Sequence, residues 1–431
     1  MAAVEGLTKI PELRRRILFT IGMLAVYRIG CQIPVPGVNV DSLSRFFSNN
    51  SNTLFGMLNT FSGHALENAS IFALGIMPYI SASIIFQLLT SVWPHLTALS
   101  KEGEMGRRKI NQYTRYATVV LALFQGYAIS RTLLSSSEGF VLPGVHFTLL
   151  ATVTLAAGTS FIMWLGEQIT DRGIGNGISL IIFSGIAAGI PVSAQHTFQM
   201  VRDDQLSPLL FVLLLALMVV IVGVIIFLEQ GQRRLPIQYA KRQVGRRLYG
   251  GQSAHLPLKI NTSGVIPPIF ASSLLMAPLT LIAIIGENQY LNHIRDALQP
   301  GGTLYYIFYV GLIVFFCFFY TAIVFNPTDV AENLKKFGGY IPGIRPGKNT
   351  ADYIDRVLSR ITVGGALYIA SVCLLPDFFM RQFKVSFFFG GTTLLILVGV
   401  ALDTVAQIQT FLLTRDYEGF MKNAKLRGRR G

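Results

Sequence analysis

The chain has 431 residues, 52% hydrophobic and 13% charged, and its 36 Lys and Arg against 22 Asp and Glu give a formal charge of +14. A soluble domain carries charge on about a quarter of its positions, so an ordinary globular enzyme is excluded. Crossing a bilayer as a helix takes about 20 mostly apolar residues, and apolar runs near that length recur throughout the chain.

In chain order the expected spans cover 17–33, 71–92, 116–134, 147–165, 177–192, 208–228, 264–285, 303–325, 361–376 and 386–413. The runs are continuous rather than alternating, which favours helices over a barrel, because a lone helix satisfies its own backbone in lipid. The first follows Arg14-Arg15-Arg16, but it contains Arg28 and ends on Ile33-Pro34-Val35-Pro36. That is no small-residue cleavage site, so a retained span is expected rather than a cleaved signal.

Positive charge between the spans falls in every second gap. The tail to Arg16, the gaps 94–116, 166–177, 229–262 and 326–360, and the tail from Thr414 hold 29 Lys and Arg, against six in the intervening gaps. Translocation of short basic loops is disfavoured, so the basic side is cytoplasmic and both termini lie on it. Charge of this kind can serve topology alone. Glu229–Thr262 and Asn326–Arg360, however, are polar, Gly-bearing and too long for connectors, which points to a partner.

Ten spans divide into two sets of five, 1–192 and 193–413, with a basic tail at 414–431. Because five is odd, the second set enters the membrane in the opposite sense, as an inverted repeat requires. The interruptions match across the sets. Gly75 and Pro78 fall in the second span and Val265-Ile266-Pro267-Pro268-Ile269 opens the seventh. Gly173-Ile174-Gly175-Asn176-Gly177 opens the short fifth, and Gly390-Gly391 precedes most of the tenth. Broken helices in matching positions point to a pathway lined by these four spans, although Gly and Pro are individually common in membrane helices. The weakly apolar lead-in at 61–70 fits a surface loop or a short re-entrant helix equally well.

Catalytic signatures are missing: no His-Glu-x-x-His, no Gly-x-Ser-x-Gly and no phosphate-cradling loop occurs. The six histidines have no ligand spacing, and Cys31, Cys317 and Cys373 have no paired spacing. No enzyme, metal site or cofactor is therefore expected. Asp403 is the one acid well inside an apolar run, a suspect for ion coupling or for a hydrogen bond beside Gln407. An ion-coupled secondary transporter is thus the alternative reading; it explains the repeat and the broken helices but not the two long basic loops. An intramembrane hydrolase has no nucleophile and base to rest on.

Longer motifs carry a resemblance. Ala69 through Ile84 (Ala-Ser-Ile-Phe-Ala-Leu-Gly-Ile-Met-Pro-Tyr-Ile-Ser-Ala-Ser-Ile) resembles the second-span signature of the SecY family, the protein-conducting channels of bacteria. Lys101-Glu102-Gly103-Glu104 with Gly106-Arg107-Arg108-Lys109 resembles its next cytoplasmic loop. Gly166-Glu167-Gln168-Ile169-Thr170, Tyr239-Ala240-Lys241-Arg242-Gln243 and Gly245-Arg246-Arg247 follow in the family's order, then Pro342-Gly343-Ile344-Arg345-Pro346-Gly347 and Phe389-Gly390-Gly391-Thr392. The likeness covers nearly the whole chain.

The resemblance implies an all-α membrane protein of ten helices, two inverted halves around a pore that passes unfolded secretory proteins and releases membrane segments sideways into lipid. The seam for that release would lie between spans two and three on one side and seven and eight on the other. The pore ring would comprise Ile76, Ile80, Ile178, Ile182, Ile269 and Ile396. Ile76 with Ile80, and Ile178 with Ile182, are spaced i, i+4 and so share a helix face. A re-entrant plug helix would occupy 61–70, beginning Phe61, Ser62, Gly63, His64, Ala65 and Leu66; His64, Glu67 and Asn68 are unusual for the family there. Lys241, Arg242, Arg246, Arg247 and Arg345 would dock the SecA ATPase motor and the ribosome, with Arg246 and Arg247 on ribosomal RNA phosphates. Implied partners are also the small membrane subunits SecE and SecG, signal peptides, nascent chains and lipid, in the bacterial inner membrane. The chain holds no nucleotide site, so a motor, the ribosome or the membrane potential must supply energy.

Overall fold

A computed structural model describes residues 11–49, 59, 62–135, 145–204, 207–239, 242–244, 247–249, 253–285, 302–383 and 391–423. Helix α1 (Pro11–Gly30) buries Leu13, Thr20 and Tyr27, seven apart and therefore on one narrow face. Leu18, Ile21 and Ile29 stand at least 57% exposed, a surface suited to lipid and not to water. Helix α2 (Val40–Asn49) is short and amphipathic and lies in no expected span. Helices α3 (Met77–Val92) and α4 (Pro94–Lys101) meet at 96°. Pro94 has no N–H to continue the ladder and holds Trp93 extended, at φ −94 and ψ 115.

Helices α5 (Glu104–Ser135), α6 (Val145–Arg172), α7 (Gly177–Arg202) and α8 (Pro208–Gln230) follow. Helix α5 starts well before the apolar run at 116, in a polar first turn held by an Arg108–Glu104 pair of 3.2 Å. Pro208 opens α8, and Ser207 caps it by accepting from the Leu210 N–H at 3.3 Å. The remaining helices are α9 (Ile266–Ile285), α10 (Thr303–Val324), α11 (Pro327–Lys336), α12 (Lys348–Phe383) and α13 (Gly391–Asn423). Each expected span overlaps a helix, though 31–33 and 71–76 are not helical and 386–390 lie outside the described residues. Among the described residues six helical stretches are long and apolar enough to cross a membrane, or seven if the bent α3–α4 pair is one span. The protein is mainly helical and multi-pass.

The expectation of an all-α chain needs one correction. The 229–262 loop is a β-hairpin, β1 (Gln232–Tyr239) antiparallel to β4 (Ser253–Lys259), with β2 (Arg242–Val244) paired to β3 (Arg247–Tyr249) at its tip. The short β5 (Gly339–Tyr340), from the other long loop, adds to the free edge of β1 to make the order β4-β1-β5. Alternate residues of β1 decide this: Leu235 and Ile237 are buried while Arg233, Arg234 and Gln238 face out.

The chain forms two compact units, one of 1–195, 276–300 and 400–431, the other of 196–275 and 301–399. In the first, Val35, Leu43, Leu66, Ala73, Ala122, Phe147 and Leu155 share a core. In the second, Leu235, Leu258, Ile341 and Ile354 form a small core packed by Leu256, Val330, Leu334 and Tyr353. Both long basic loops therefore belong to one folded body.

Candidate functional site

The backbone ahead of α3 is irregular and buried. Gly75 lies at φ 55, Ile76 is the N-cap and Pro78 sits in the first turn, where its missing N–H leaves no helical bond unmade. Residues 62–76 form a run of turns instead of the expected helix. Gly63 (φ 70), His64 (φ 65) and Ala69 (φ 43) occupy the left-handed region, which no α-helix of L-residues admits. Of the positions expected to form a plug, Ser62, Gly63, Ala65 and Leu66 are buried and His64 half-buried; Phe61 lies outside the described residues.

Main-chain bonds tie these turns to the chain after α1. Val35 N–H donates to the Ala69 carbonyl at 2.8 Å, and Ile71 N–H to the Ile33 carbonyl at 3.0 Å. Helix α1 adds two side-chain donors: Tyr27 Oη to the Ser62 carbonyl at 3.1 Å and Arg28 Nη1 to the Gly63 carbonyl at 3.0 Å. Tyr27 also stacks on Phe72, which stacks on Phe161 of α6. On α7, Gly185 faces Gly63 so closely that a Cβ at Gly185 would lie 3.1 Å from the Gly63 Cα. Gly189 faces the His64 ring, and His64 Nδ1 lies 3.2 Å from Glu67 Oε2, which accepts from Asn59 Nδ2 at 2.6 Å.

Ile76 and Ile80 are buried one turn apart, and the Ile80 N–H donates to the Ile76 carbonyl at 3.1 Å. Ile182 is buried, whereas Ile178 is half-buried and packs on Gly166 of α6. The glycine loop before them turns one helix into the next. Gly175 sits at φ 90, Asn176 Oδ1 accepts the Ile178 N–H at 3.1 Å, and Thr170 Oγ1 accepts the Gly177 N–H at 2.9 Å. The Gly175 N–H reaches Gln407 Oε1 at 3.0 Å, so Gln407 serves this turn while Asp403 is exposed on α13. These four isoleucines belong to the first unit. Ile269 and Ile396 are buried in the second, on helices joined where Val265 packs on Gly399.

Of the residues expected to dock partners, Arg242, Arg247 and Arg345 are described, all in the second unit. Arg242 pairs in register with Tyr249, and Arg247 with Val244, in the β2–β3 ribbon; Lys241 and Arg246 lie outside the described residues. Arg345 is exposed in a turn bounded by Gly343 (φ 81) and Gly347 (φ 112), and its carbonyl accepts from Thr350 Oγ1 at 2.9 Å. At the base of the hairpin Asn261 Nδ2 donates to Glu229 Oε1 at 2.6 Å. Composition and motif matching missed Tyr27, Gly185 and Gly189; the one signal was Arg28, a charge left inside an apolar run.

Residues 70–405 match the SecY family model. The chain is 53% identical over 423 residues to the protein translocase subunit SecY of Escherichia coli (strain K12), covering 97% of this chain and 96% of that protein. It is similar in structure to a SecY channel described as having a plug domain that stabilises the closed state and maintains a membrane seal. That likeness has TM-score 0.63 and 18% identity, over 94% of this chain and 96% of the other. It is also similar to Sec61 of the canine ribosome-channel complex, with TM-score 0.60 and 17% identity over 94% and 96%.

Proposed function

The chain belongs to the SecY family of protein translocase subunits, and on that premise we propose how its own residues pass and hold back polypeptide. It is the protein-conducting channel subunit, and the transporter alternative falls with the family assignment. Ten helices form two inverted halves, 1–192 and 193–413, around a pore, with both termini cytoplasmic in the bacterial inner membrane. Ile76, Ile80, Ile178, Ile182, Ile269 and Ile396 form its waist. A collar of branched apolar groups excludes water and ions when empty and yields around a passing chain without polar contacts to hold it. An apolar segment leaves through the lateral seam into lipid, where a charge at the helix centre costs about 2.5–3.5 kcal/mol.

The observation that carries this reading is the buried turn segment 62–76, running directly into Ile76 and Ile80. Irregular backbone at membrane depth is tolerated only where protein surrounds it or it lines a cavity. Turns of this kind can leave without unwinding a helix, which suits a plug. SecE, SecG, SecA and the ribosome are the partners. The two basic loops would serve the last two through Arg345, Arg242 and Arg247, with Lys241 and Arg246 in the same loop as the latter pair.

The test is ATP-dependent translocation in reconstituted vesicles beside ribosome affinity. Arg345→Glu should stop motor-driven export with membrane insertion intact, since its turn fixes the direction of a planar five-donor fork. Reversing Arg246 and Arg247 should weaken ribosome binding and flatten its salt dependence. Normal export by Arg345→Glu together with unchanged ribosome binding by the double reversal would reduce these charges to topology.

A further inference from the structure

Arg28 is a charge inside the first apolar run, and such residues are rare because lipid does not solvate them. Among the described residues it forms no ion pair with an acid; its guanidinium donates to the main-chain carbonyl of Gly63. Tyr27, the residue before it and only 1% exposed, donates to the carbonyl of Ser62. Neighbouring residues on a helix diverge by about 100°, yet these two side chains reach adjacent carbonyls of one turn. The residue between those two carbonyls, Gly63, holds a left-handed backbone at φ 70. A Cβ at Gly63 would lie 2.6 Å from the Gly185 Cα, so this close seat on α7 also requires glycine.

We propose that Tyr27 and Arg28 are the latch of the closed channel: positioning residues that grip the 62–63 turn by its backbone, with Gly185 as the seat behind it. The inference rests on reading 62–76 as the plug. Because both bonds go to main-chain carbonyls, the latch makes no demand on the plug's side chains beyond glycine at position 63. His64, Glu67 and Asn59 form their own hydrogen-bonded cluster, so the plug can vary in sequence while α1 holds it in register.

The test uses the complete channel complex in planar bilayers, with Ser62→Cys as a reporter labelled from the outer side. Arg28→Gln keeps a donor but loses the charge. It should raise both idle ion conductance and Ser62→Cys labelling by about ten-fold, the scale of a lost charge-assisted hydrogen bond. Tyr27→Phe keeps the stack on Phe72 and should raise both by about three-fold, with an unchanged melting temperature. In a channel lacking 62–70, where conductance is the readout, Arg28→Gln should add nothing to the leak, because the residue acts only through the plug. Faster labelling with leak and no added effect in the deletion supports the latch. Faster labelling without leak overturns the plug reading, and the proposal with it. Unchanged labelling overturns the latch and leaves the plug reading standing. A full additional effect in the deletion channel assigns Arg28 to another role.

Discussion

Ile80 and Ile182 are buried isoleucines on helices that begin at a broken backbone, and each is one turn past another isoleucine of the proposed ring. An unsatisfied buried amide costs about 1–3 kcal/mol, and a polar collar wets. Ile80→Asn or Ile182→Asn should therefore raise idle conductance about ten-fold or more and admit weaker signal sequences. Conductance equal to the parent would remove these residues from the ring. Gly185 makes a sharper test of the seat, since Gly185→Val should push the 62–64 turn outward and leak as well. Gly311→Ala, whose Cβ meets nothing within 4 Å, should be silent in the same assay.

At the scale of elements, the hairpin and the turn carrying Arg345 depend on one small core. Ile354 is fully buried there, on the first turns of α12, against strands from the other loop. Ile354→Ala should destabilise that body by about 2–5 kcal/mol through the cavity it leaves. Hydrogen exchange across β1 and β4 should then quicken, and ribosome and motor binding should fall together. Charge reversals on the surface should instead separate the two activities. If Ile354→Ala impairs only one, the loops act independently despite their shared core. The periodicity of the spans was legible from hydropathy, because a stretch built for lipid needs no partner to declare itself. The hairpin was not, because its alternating strands are short, Arg-rich and interrupted by Gly, so loop composition hides them. The bend at Trp93 and Pro94 was equally quiet: proline is common in membrane helices, and only geometry shows that this one turns the chain by 96°.

For the whole molecule, the charge alternation predicts a sidedness that labelling can read. A cysteine replacing Lys348 should react from the cytoplasmic face of inverted vesicles and one replacing Ser42 only from the opposite face. Identical access for both would overturn the ten-span topology. The helical class and the interrupted spans were determined by sequence alone, because transfer into lipid is a property of each segment's own side chains. Tertiary structure decided the rest. It turned the expected plug helix into a run of turns with left-handed residues at Gly63, His64 and Ala69, joined two loops into one folded body, and gave the stray Arg28 a partner. Each of these rests on contacts between residues far apart in the chain: Arg28 with Gly63, Gly63 with Gly185, Leu235 with Ile354. A hydrogen bond or a close glycine contact depends on where the second group lies in space, and that position is not encoded in the local pattern around either residue.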